Sequence, residues 1–537
     1  MPAASPRGPR APGRVLSLVL ALLGGVVTEA AFPDRSWWPL AYVGVALLVL
    51  ALRRDSVPWG YLLAFAFGLT FFLPHVWWAT ESVGEPIGWI ALSIAQAAMM
   101  GLFGAAAVLA GRIRMVREQP WLHVLVLAVL WVAVEALRGR WPFGGLPWGA
   151  LAFSQTEAPL LRLASVGSTP VVSAAVVIAG AALAMTVVSI RRLRFGGATV
   201  LLLLAAGVVF GPWLVPLPSQ AETGSLRLAA IQGNVPRERG AVWSDAGEVT
   251  GNHLAGTEDL VARVDEGAID VVLWPESSAD IDPRTDPEIA AMVEQAAQAV
   301  GAPMLLGTQS FLDHPDIPGQ RARYNEIILW EAGTGPVEGA VYAKQRPVPF
   351  GEYMPYRDFF RMFTEQVDRV VVDMLPGDGP AMMPVPIERL EREVRFGVAI
   401  CFEVAYDGVV REGVQTGGEL IIVPTNNSSF GDTDLSDQQL AMSRFRAVEH
   451  GRAVVQISTM GLSAVVTPNG VYQSRTGHWT AEQMLETVPL RTSHTLATTL
   501  GAAPVAAFAG VAVLVVVAGA AQTVSDRRAR RRRPGAK

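Results

Sequence analysis

Eight long apolar stretches restrict the fold of this chain more than any other feature of its sequence. A helix needs about 20 mostly apolar residues to cross the hydrocarbon core of a bilayer. The stretches have the approximate bounds 14–32, 36–52, 59–78, 87–111, 120–137, 164–190, 197–216 and 499–522. The sequence therefore predicts a transmembrane bundle of about seven spans within 1–216. An eighth span at 499–522 then leads into a basic cytoplasmic tail at 523–537.

The arginines between these stretches predict how the chain is oriented, because cytoplasmic loops carry an excess of Lys and Arg. Most fall on one side of the membrane if both termini are cytoplasmic. They are Arg7, Arg10, Arg14, Arg53, Arg54, Arg112, Arg114, Arg117, Arg191, Arg192, Arg194 and the arginines of 527–533. Arg138, Arg140 and Arg162 fall on the other side and weaken the pattern. The first stretch could instead be a signal peptide cleaved near Ala30, but six further spans favour a helix that is retained.

Residues 224–495 have the composition of a soluble domain, which this orientation places outside the cytoplasm. Strand-like runs alternate there with helical patterns, and such alternation predicts an α/β layered fold. The predicted strands are 226–232, 271–274, 304–308, 326–330, 394–401, 420–424 and 454–458, and the predicted helices are 248–265, 287–300 and 434–451. No basic stripe with interleaved aromatic residues is present in this region, so nucleic acid is not an expected partner.

Cys401 is the only cysteine in 537 residues, and it ends one of the predicted strands. Several cysteines in an exported domain would form disulfides. A single cysteine has no partner within the chain and can remain a free thiol, as a nucleophile must. The alternative is that Cys401 is only a small buried hydrophobic residue.

Glu276 and Lys344 also follow strand-like runs, and loops at strand ends meet at the site in layered α/β proteins. A thiol near its ordinary pKa is mostly protonated at neutral pH and requires a base. A desolvated carboxylate at Glu276 could take that proton. Lys344 and a backbone N–H could then stabilise a tetrahedral oxyanion. Structural alternatives stay open: Glu276 as a helix-start carboxylate and Lys344 as a surface charge.

Several motifs resemble those of one enzyme superfamily. They are Ile-Gln-Gly-Asn-Val-Pro at 231–236, Trp-Pro-Glu-Ser at 274–277, Val-Pro-Phe-Gly-Glu-Tyr-Met-Pro at 348–355, Ile-Cys-Phe-Glu at 400–403 and Arg-Phe-Arg-Ala-Val-Glu-His-Gly-Arg at 444–452. With these motifs the soluble domain resembles the carbon–nitrogen hydrolase (nitrilase) superfamily. Together with the apolar stretches, the whole chain is similar to its membrane-embedded branch, the apolipoprotein N-acyltransferase family.

This resemblance implies an α-β-β-α sandwich with a Glu–Lys–Cys triad. Glu276 matches the general base, Lys344 the oxyanion-stabilising lysine and Cys401 the nucleophile. The implied reaction is ping-pong: a phospholipid acylates the cysteine, and the α-amine of a diacylglyceryl-cysteine lipoprotein then takes the acyl chain. The thioester conserves the activation, so neither a metal nor another cofactor is implied.

Supporting residues follow from the same resemblance. Glu352 matches a second carboxylate beside the triad, although it could be only a salt-bridge partner, and Glu403 matches an acidic position near the cysteine. The backbone N–H of Phe402 is expected to complete an oxyanion hole, where the family usually has Tyr. The loop at 426–431 reads Asn-Asn-Ser-Ser-Phe-Gly and lacks the Trp of the family pattern Asn-Asp-x-Trp-Phe-Gly.

Two tryptophans are predicted to contact substrate. Trp243 lies where the family has a substrate-side aromatic residue, and Trp148 ends the apolar loop 141–148, which Pro and Gly interrupt. This loop could lie in the membrane interface, where Trp is favoured. The alternatives are ordinary packing for Trp243 and a plain connector for the loop.

The resemblance also implies the partners and the location. The partners are a phospholipid acyl donor, a lipoprotein acceptor and membrane lipid, and the protein is expected to be a monomer in a bacterial inner (plasma) membrane. One alternative function is a membrane-anchored amidase or nitrilase that hydrolyses its thioester. A second is a non-enzymatic transporter or assembly factor, which would carry buried charges within its spans, with Glu135 as the main candidate.

Overall fold

A computed structural model describes residues 11–83, 85–235 and 246–531 of the chain. The described residues form two compact units. The first is helical and is formed within 1–80, 85–216 and 500–537, and the second is an α/β unit formed within 81–84 and 217–499.

Nine helices precede the α/β unit in the described part of the chain. They are α1 (Arg14–Glu29), α2 (Pro39–Ala51), α3 (Val57–His75), α4 (Trp78–Val83), α5 (Pro86–Ala110), α6 (Arg114–Glu118), α7 (Pro120–Arg138), α8 (Ala164–Arg191) and α9 (Phe195–Phe210). Proline opens α2, α5 and α7. Its fixed φ suits the first helical position, where its missing N–H costs no helical hydrogen bond.

Six helical segments of the described residues are long and apolar enough to cross a membrane. They are Val57–His75, Pro86–Ala110, Pro120–Arg138, Pro159–Arg191, Phe195–Leu214 and Ala503–Arg528. The apolar helices α1 and α2 also form where spans are predicted, but they have only 16 and 13 residues. The prediction of several apolar helices in the N-terminal part is confirmed. The number of spans and their orientation stay predictions.

Small residues allow α3 and α5 to pack closely. A methyl group added at Gly104 of α5 would lie 2.1 Å from the carbonyl oxygen of Gly60 in α3. Glycine at such a crossing lets two backbones approach, which is a common way of packing apolar helices in lipid.

Arg138, one of the arginines that weaken the charge pattern, is buried at the end of α7. Its Nη1 donates to Gln96 Oε1 at 3.1 Å and to the carbonyl oxygens of Leu146, at 3.1 Å, and Trp148. Trp148 is fully buried in the helical unit, whereas Trp141 at the start of the same loop is 60% exposed. The buried Arg138 side chain therefore fixes the position of this loop.

The α/β unit contains thirteen described strands and six described helices. The strands are β1 (Ser225–Gln232), β2 (Val271–Leu273), β3 (Met304–Asp313), β4 (Arg321–Glu331), β5 (Gly335–Ala343), β6 (Asp373–Met374), β7 (Met382–Ile387), β8 (Arg392–Val398), β9 (Leu420–Thr425), β10 (Val454–Ser458), β11 (Ala464–Val466), β12 (Tyr472–Arg475) and β13 (Glu482–Pro489). The helices are α10 (Glu248–Val261), α11 (Pro287–Val300), α12 (Arg357–Arg361), α13 (Asp407–Gln415), α14 (Leu435–His450) and α15 (Leu496–Leu500).

The strands form two sheets that face each other. One has the order β13-β1-β2-β3-β4-β5, with β6 also paired to β4, and the other has the order β12-β11-β10-β9-β8-β7. Helices α10 and α11 pack on the first sheet, and α13 and α14 pack on the second. The α/β unit is therefore the predicted α-β-β-α sandwich, and all seven predicted strands lie within it.

The centres of both sheets are parallel, because β1 pairs with β2 and β2 with β3, while β8 pairs with β9 and β9 with β10. The carboxyl ends of these strands therefore gather the loops that carry polar residues. After the α/β unit the chain returns to the helical unit as α16 (Ala503–Arg531), which packs on α5 and α7.

Candidate active site

Cys401 begins a short 3₁₀ turn, Cys401–Ala405, three residues after the end of β8. Its φ is +56°, in the left-handed region that non-glycine residues rarely adopt, and it is 4% exposed. Backbone conformations of this kind persist only where the surrounding structure enforces them, and they concentrate at functional sites. The turn thus presents the only thiol of the chain at the carboxyl edge of the second sheet.

Glu276 is held from both sheets. Its Oε1 accepts a hydrogen bond from Asn325 Nδ2 in β4 at 2.6 Å, and its Oε2 accepts one from the backbone N–H of Asn426, just after β9, at 2.7 Å. The side chain is buried. These donors fix the carboxylate in one orientation, as a general base requires.

Lys344 follows β5 and is 1% exposed. Its Nζ lies 2.5 Å from Glu352 Oε1 and 3.5 Å from Glu276 Oε1. Glu352 in turn accepts a hydrogen bond from the backbone N–H of Val348 at 2.7 Å. One ammonium group therefore bridges two carboxylates inside the protein.

The electrostatics of the site keep its thiol protonated and its lysine charged. Burial raises the pKa of Cys401 to about 12, and Glu276 acts in the same direction, while Lys344 and a hydrogen bond with Thr425 oppose the shift. Burial alone would lower the pKa of Lys344, but Glu352 and Glu276 outweigh it and hold that pKa above its ordinary value. A thiol in this state would need a base to act as a nucleophile, and after burial Glu276 has the largest effect on its pKa.

Glu403 joins the nucleophile turn (residues 401–405) to the lysine loop (residues 344–346 after β5). One of its oxygens accepts from the backbone N–H groups of Gln345 and Arg346, at 2.7 and 2.9 Å, and the other from the Tyr342 hydroxyl, at 2.8 Å, and the Ile400 N–H, at 2.7 Å. Burial raises the pKa of Glu403 to about 7, although Lys344 and these donors favour its ionised form. Its role is to position the two loops.

The other predicted residues are Phe402, which follows Cys401 in the same turn, and the tryptophans Trp243 and Trp148. The ring of Phe402 is buried and packs against Phe430, with ring centroids 5.8 Å apart. Trp243 lies outside the described residues. Trp148 belongs to the helical unit, so its contact with substrate stays a prediction.

Arg446 of α14 belongs to the motif at 444–452, but sequence reasoning gave it no role in the site. Its Nε donates to the carbonyl oxygen of Val404 at 2.8 Å, and its Nη2 donates to that of Ala405 at 3.0 Å, at the far end of the nucleophile turn. The arginine is fully buried. The signal available in the sequence was a charged residue, Arg446, within the helix predicted at 434–451.

Asp407, Glu449 and His450 place three potential metal ligands within 4.8 Å of one another. Arg446 donates to Glu449 and lies 3.6 Å from Asp407. Its guanidinium already supplies the positive charge that these carboxylates require. We therefore interpret the cluster as an ion-pair network behind the nucleophile turn.

Two family models match the chain. Residues 24–182 match the apolipoprotein N-acyltransferase N-terminal domain, and residues 227–497 match the carbon–nitrogen hydrolase domain. Among solved structures, an amidase from Nesterenkonia sp. is similar at 18% identity and a TM-score of 0.35, over 54% of this chain and 99% of that one.

Curated relatives extend over nearly the whole chain. An apolipoprotein N-acyltransferase from Mycolicibacterium smegmatis is 36% identical over 94% of this chain and 85% of its own length. One from Pseudomonas syringae is 30% identical over 84% of this chain and 87% of its own length. With a helical unit, a nitrilase-like sandwich and these relatives, the chain belongs to the apolipoprotein N-acyltransferase family.

Proposed function

We propose that Cys401 takes a fatty acyl chain from a membrane phospholipid and passes it to the α-amine of a diacylglyceryl-cysteine lipoprotein. The observation that carries this assignment is a cluster of one thiol, two carboxylates and one ammonium at the carboxyl edges of both sheets, in which all groups are buried except the half-buried Glu352. Membership of an acyltransferase family supports acyl transfer as the reaction.

In the first half-reaction, Glu276 accepts the proton of the Cys401 thiol as sulfur attacks the ester carbonyl carbon. The carbonyl oxygen becomes an oxyanion, which Lys344 and the backbone N–H of Phe402 stabilise. The tetrahedral intermediate then collapses and breaks the ester C–O bond. The lysophospholipid leaves with the proton held by Glu276, and the acyl chain remains on Cys401 as a thioester.

In the second half-reaction, the free amine of the lipoprotein attacks the thioester carbon. Glu276 accepts a proton from the amine, and the C–S bond breaks as the amide forms. The proton then returns to sulfur, so the enzyme regains its starting state. No redox change occurs, and the thioester supplies the driving force for amide formation.

The rest of the architecture is part of the same proposal. Residues 1–216 form the transmembrane bundle, 224–495 the catalytic domain, 499–522 the last span and 523–537 a cytoplasmic tail. The catalytic domain faces outward and both termini are cytoplasmic, in a bacterial inner (plasma) membrane. We expect the protein to act as a monomer.

Two alternatives make different predictions. A membrane-anchored hydrolase would use the same triad but release the acyl chain to water. A transporter or assembly factor would need no thiol chemistry. Family membership favours neither alternative.

The intact mass of the purified protein tests the proposal after incubation with a defined diacyl phospholipid. We expect one added acyl mass on the wild type, its removal by neutral hydroxylamine and no adduct on Cys401→Ala. A diacylated lipopeptide should then discharge the adduct and gain the acyl chain.

Other results would point elsewhere. Free fatty acid without acylated lipopeptide would favour the hydrolase. An adduct on Cys401→Ala would remove the thiol from the mechanism.

A further inference from the structure

Arg323 of β4 lies beside the active site and has no part in the mechanism above. It pairs with Phe311 of β3 and precedes Asn325, the residue that holds Glu276, by two positions on one strand. Residues two apart share one face of a strand and lie about 7 Å from each other. Arg323 therefore lies on the same face of β4 as Asn325, the face that is next to Glu276.

The hydrogen-bonding capacity of Arg323 is mostly unused. Within the described residues its side chain makes one hydrogen bond, from Nη1 to Gln309 Oε1 at 2.9 Å. Its Nε is enclosed and lacks a partner there. A guanidinium has five N–H donors, so this half-buried side chain retains several for a ligand.

Three carboxylates face Arg323, and each is held by another partner. Glu352, Asp373 and Glu276 all act on it electrostatically. Glu352 binds Lys344 at 2.5 Å, and Asp373 binds Arg357 at 2.6 Å. Glu276 binds Asn325 and lies 3.5 Å from Lys344. In the described part of the chain, Arg323 thus has no carboxylate within ion-pair distance.

We propose that Arg323 binds the phosphate group of the phospholipid acyl donor. This inference rests on the proposed function, because it takes a phospholipid to be the donor. Arginine pairs well with phosphate, since its planar fork can donate two parallel hydrogen bonds to two oxygens. Only a few covalent bonds separate the scissile ester of a phospholipid from its phosphorus, so the phosphate must lie close to the triad.

The two substrates differ in the group that Arg323 would recognise. The donor carries a phosphate, whereas a diacylglyceryl-cysteine acceptor carries none. Arg323 should therefore act in the first half-reaction and not in the second. If Arg323 only influenced the ionisation of Glu352 and Glu276, its replacement would slow acylation by every donor and would slow both half-reactions equally.

The test compares Arg323→Gln with Arg321→Gln in the full-length protein. Arg321 lies two residues earlier on the same strand and is 59% exposed. Its Nε donates to the carbonyl oxygen of Leu312 at 3.2 Å and lies 4.0 Å from Asp313, both away from the triad, which makes it a matched control. Acylation of Cys401 is followed by intact mass with two donors of the same acyl chain, a diacyl phospholipid and a p-nitrophenyl ester without phosphate.

We expect Arg323→Gln to lower kcat/KM for the phospholipid about 10- to 100-fold, chiefly through KM, as for loss of a charged hydrogen bond. Acylation by the p-nitrophenyl ester should stay at the wild-type rate, which also shows that the variant is folded. Discharge of that acyl-enzyme by lipopeptide should be unchanged. Arg323→Lys should lower kcat/KM for the phospholipid less than Arg323→Gln does. Arg321→Gln should behave as the wild type.

Two results would overturn the inference. An equal loss with both donors would make Arg323 a supporting residue of the triad, and no loss with the phospholipid would remove it from donor binding. Failure of the proposed function has a different signature, since the wild type itself would then not be acylated by phospholipid.

Discussion

Glu403 shows how a single residue can determine the geometry of a site without taking part in the chemistry. Its carboxylate accepts four hydrogen bonds, from Ile400 beside the nucleophile and from Tyr342, Gln345 and Arg346 around the lysine. A carboxylate has acceptor capacity for all four, and no other side chain of its size does. The resemblance placed an acidic residue here, but only the structure shows that it joins two loops.

We predict that Glu403→Gln lowers the free energy of unfolding by about 1–3 kcal/mol, because an NH₂ group would face two donors. Cys401 and Lys344 would also lose their common support, so phospholipid acylation should fall at least about tenfold. Chemical denaturation and intact-mass kinetics measure the two effects. Glu419→Gln is the control, since this buried carboxylate binds Arg392 and Thr223. That variant should have a lower free energy of unfolding and an unchanged acylation rate.

Sequence reasoning proposed Glu276, Lys344 and Cys401 as a triad but could not derive their hydrogen-bond partners. Glu276, Lys344 and Cys401 each follow the end of a strand by one to three residues, and such strand ends are visible in the sequence. Asn325 was missed because it lies in the middle of β4, where a polar residue gives no local sign of what it faces. Its role depends on the neighbouring strands, and so on the sheet order.

At the scale of elements, the nucleophile turn depends on a helix more than 30 residues later in the chain. Arg446 of α14 binds the carbonyl oxygens of Val404 and Ala405, which the turn leaves without helical partners. The left-handed backbone at Cys401 requires such support. We infer that α14 fixes the angle at which the thiol meets its substrate.

This inference predicts a difference between two buried arginines. Arg452 also binds carbonyl oxygens, among them those of Gly418 and Ser493, but it has no bond to the nucleophile turn. Arg446→Lys and Arg452→Lys should both lower the melting temperature, since lysine cannot replace the fork.

Only Arg446→Lys should change the chemistry of Cys401. Acylation by phospholipid should fall by about tenfold or more, because the thiol is misplaced. Alkylation by iodoacetamide should become faster, because the buried thiol is more accessible, and Cys401 is the only cysteine to label. Equal alkylation rates in the two variants would show that Arg446 only stabilises the fold.

Three of the strands that sequence reasoning missed share a physical cause. The predicted strands are buried runs of apolar residues, such as β9, which is buried throughout. Strands β5, β7 and β12 alternate buried or half-buried with exposed positions and lie at or near sheet edges. Polar residues interrupt the apolar pattern of β5 and β12, and two prolines interrupt that of β7. Such strands are defined by pairing with a neighbour, and pairing is not visible in a short segment.

At the scale of the whole molecule, composition alone distinguishes an apolar part of the chain suited to a membrane from a polar part suited to water. The helical unit supplies segments long enough to span a bilayer, and the α/β unit supplies the chemistry. Both substrates of the proposed reaction are lipids, so a soluble sandwich alone could not draw them from a membrane. The arginine pattern predicts on which side the chemistry occurs, and this can be measured.

Labelling of single cysteines in intact cells tests the orientation, since Cys401→Ala leaves a chain with no other cysteine. In that background we expect a membrane-impermeant maleimide to label Glu85→Cys, in a loop without Lys or Arg. Asp55→Cys and Ser525→Cys should react only after the cells are opened, because arginines flank both positions and favour the cytoplasm. Labelling of Ser525→Cys in intact cells would reverse the predicted orientation of α16. The catalytic domain would then face the wrong side for lipoproteins that have crossed the membrane, and the location of the reaction would have to be revised.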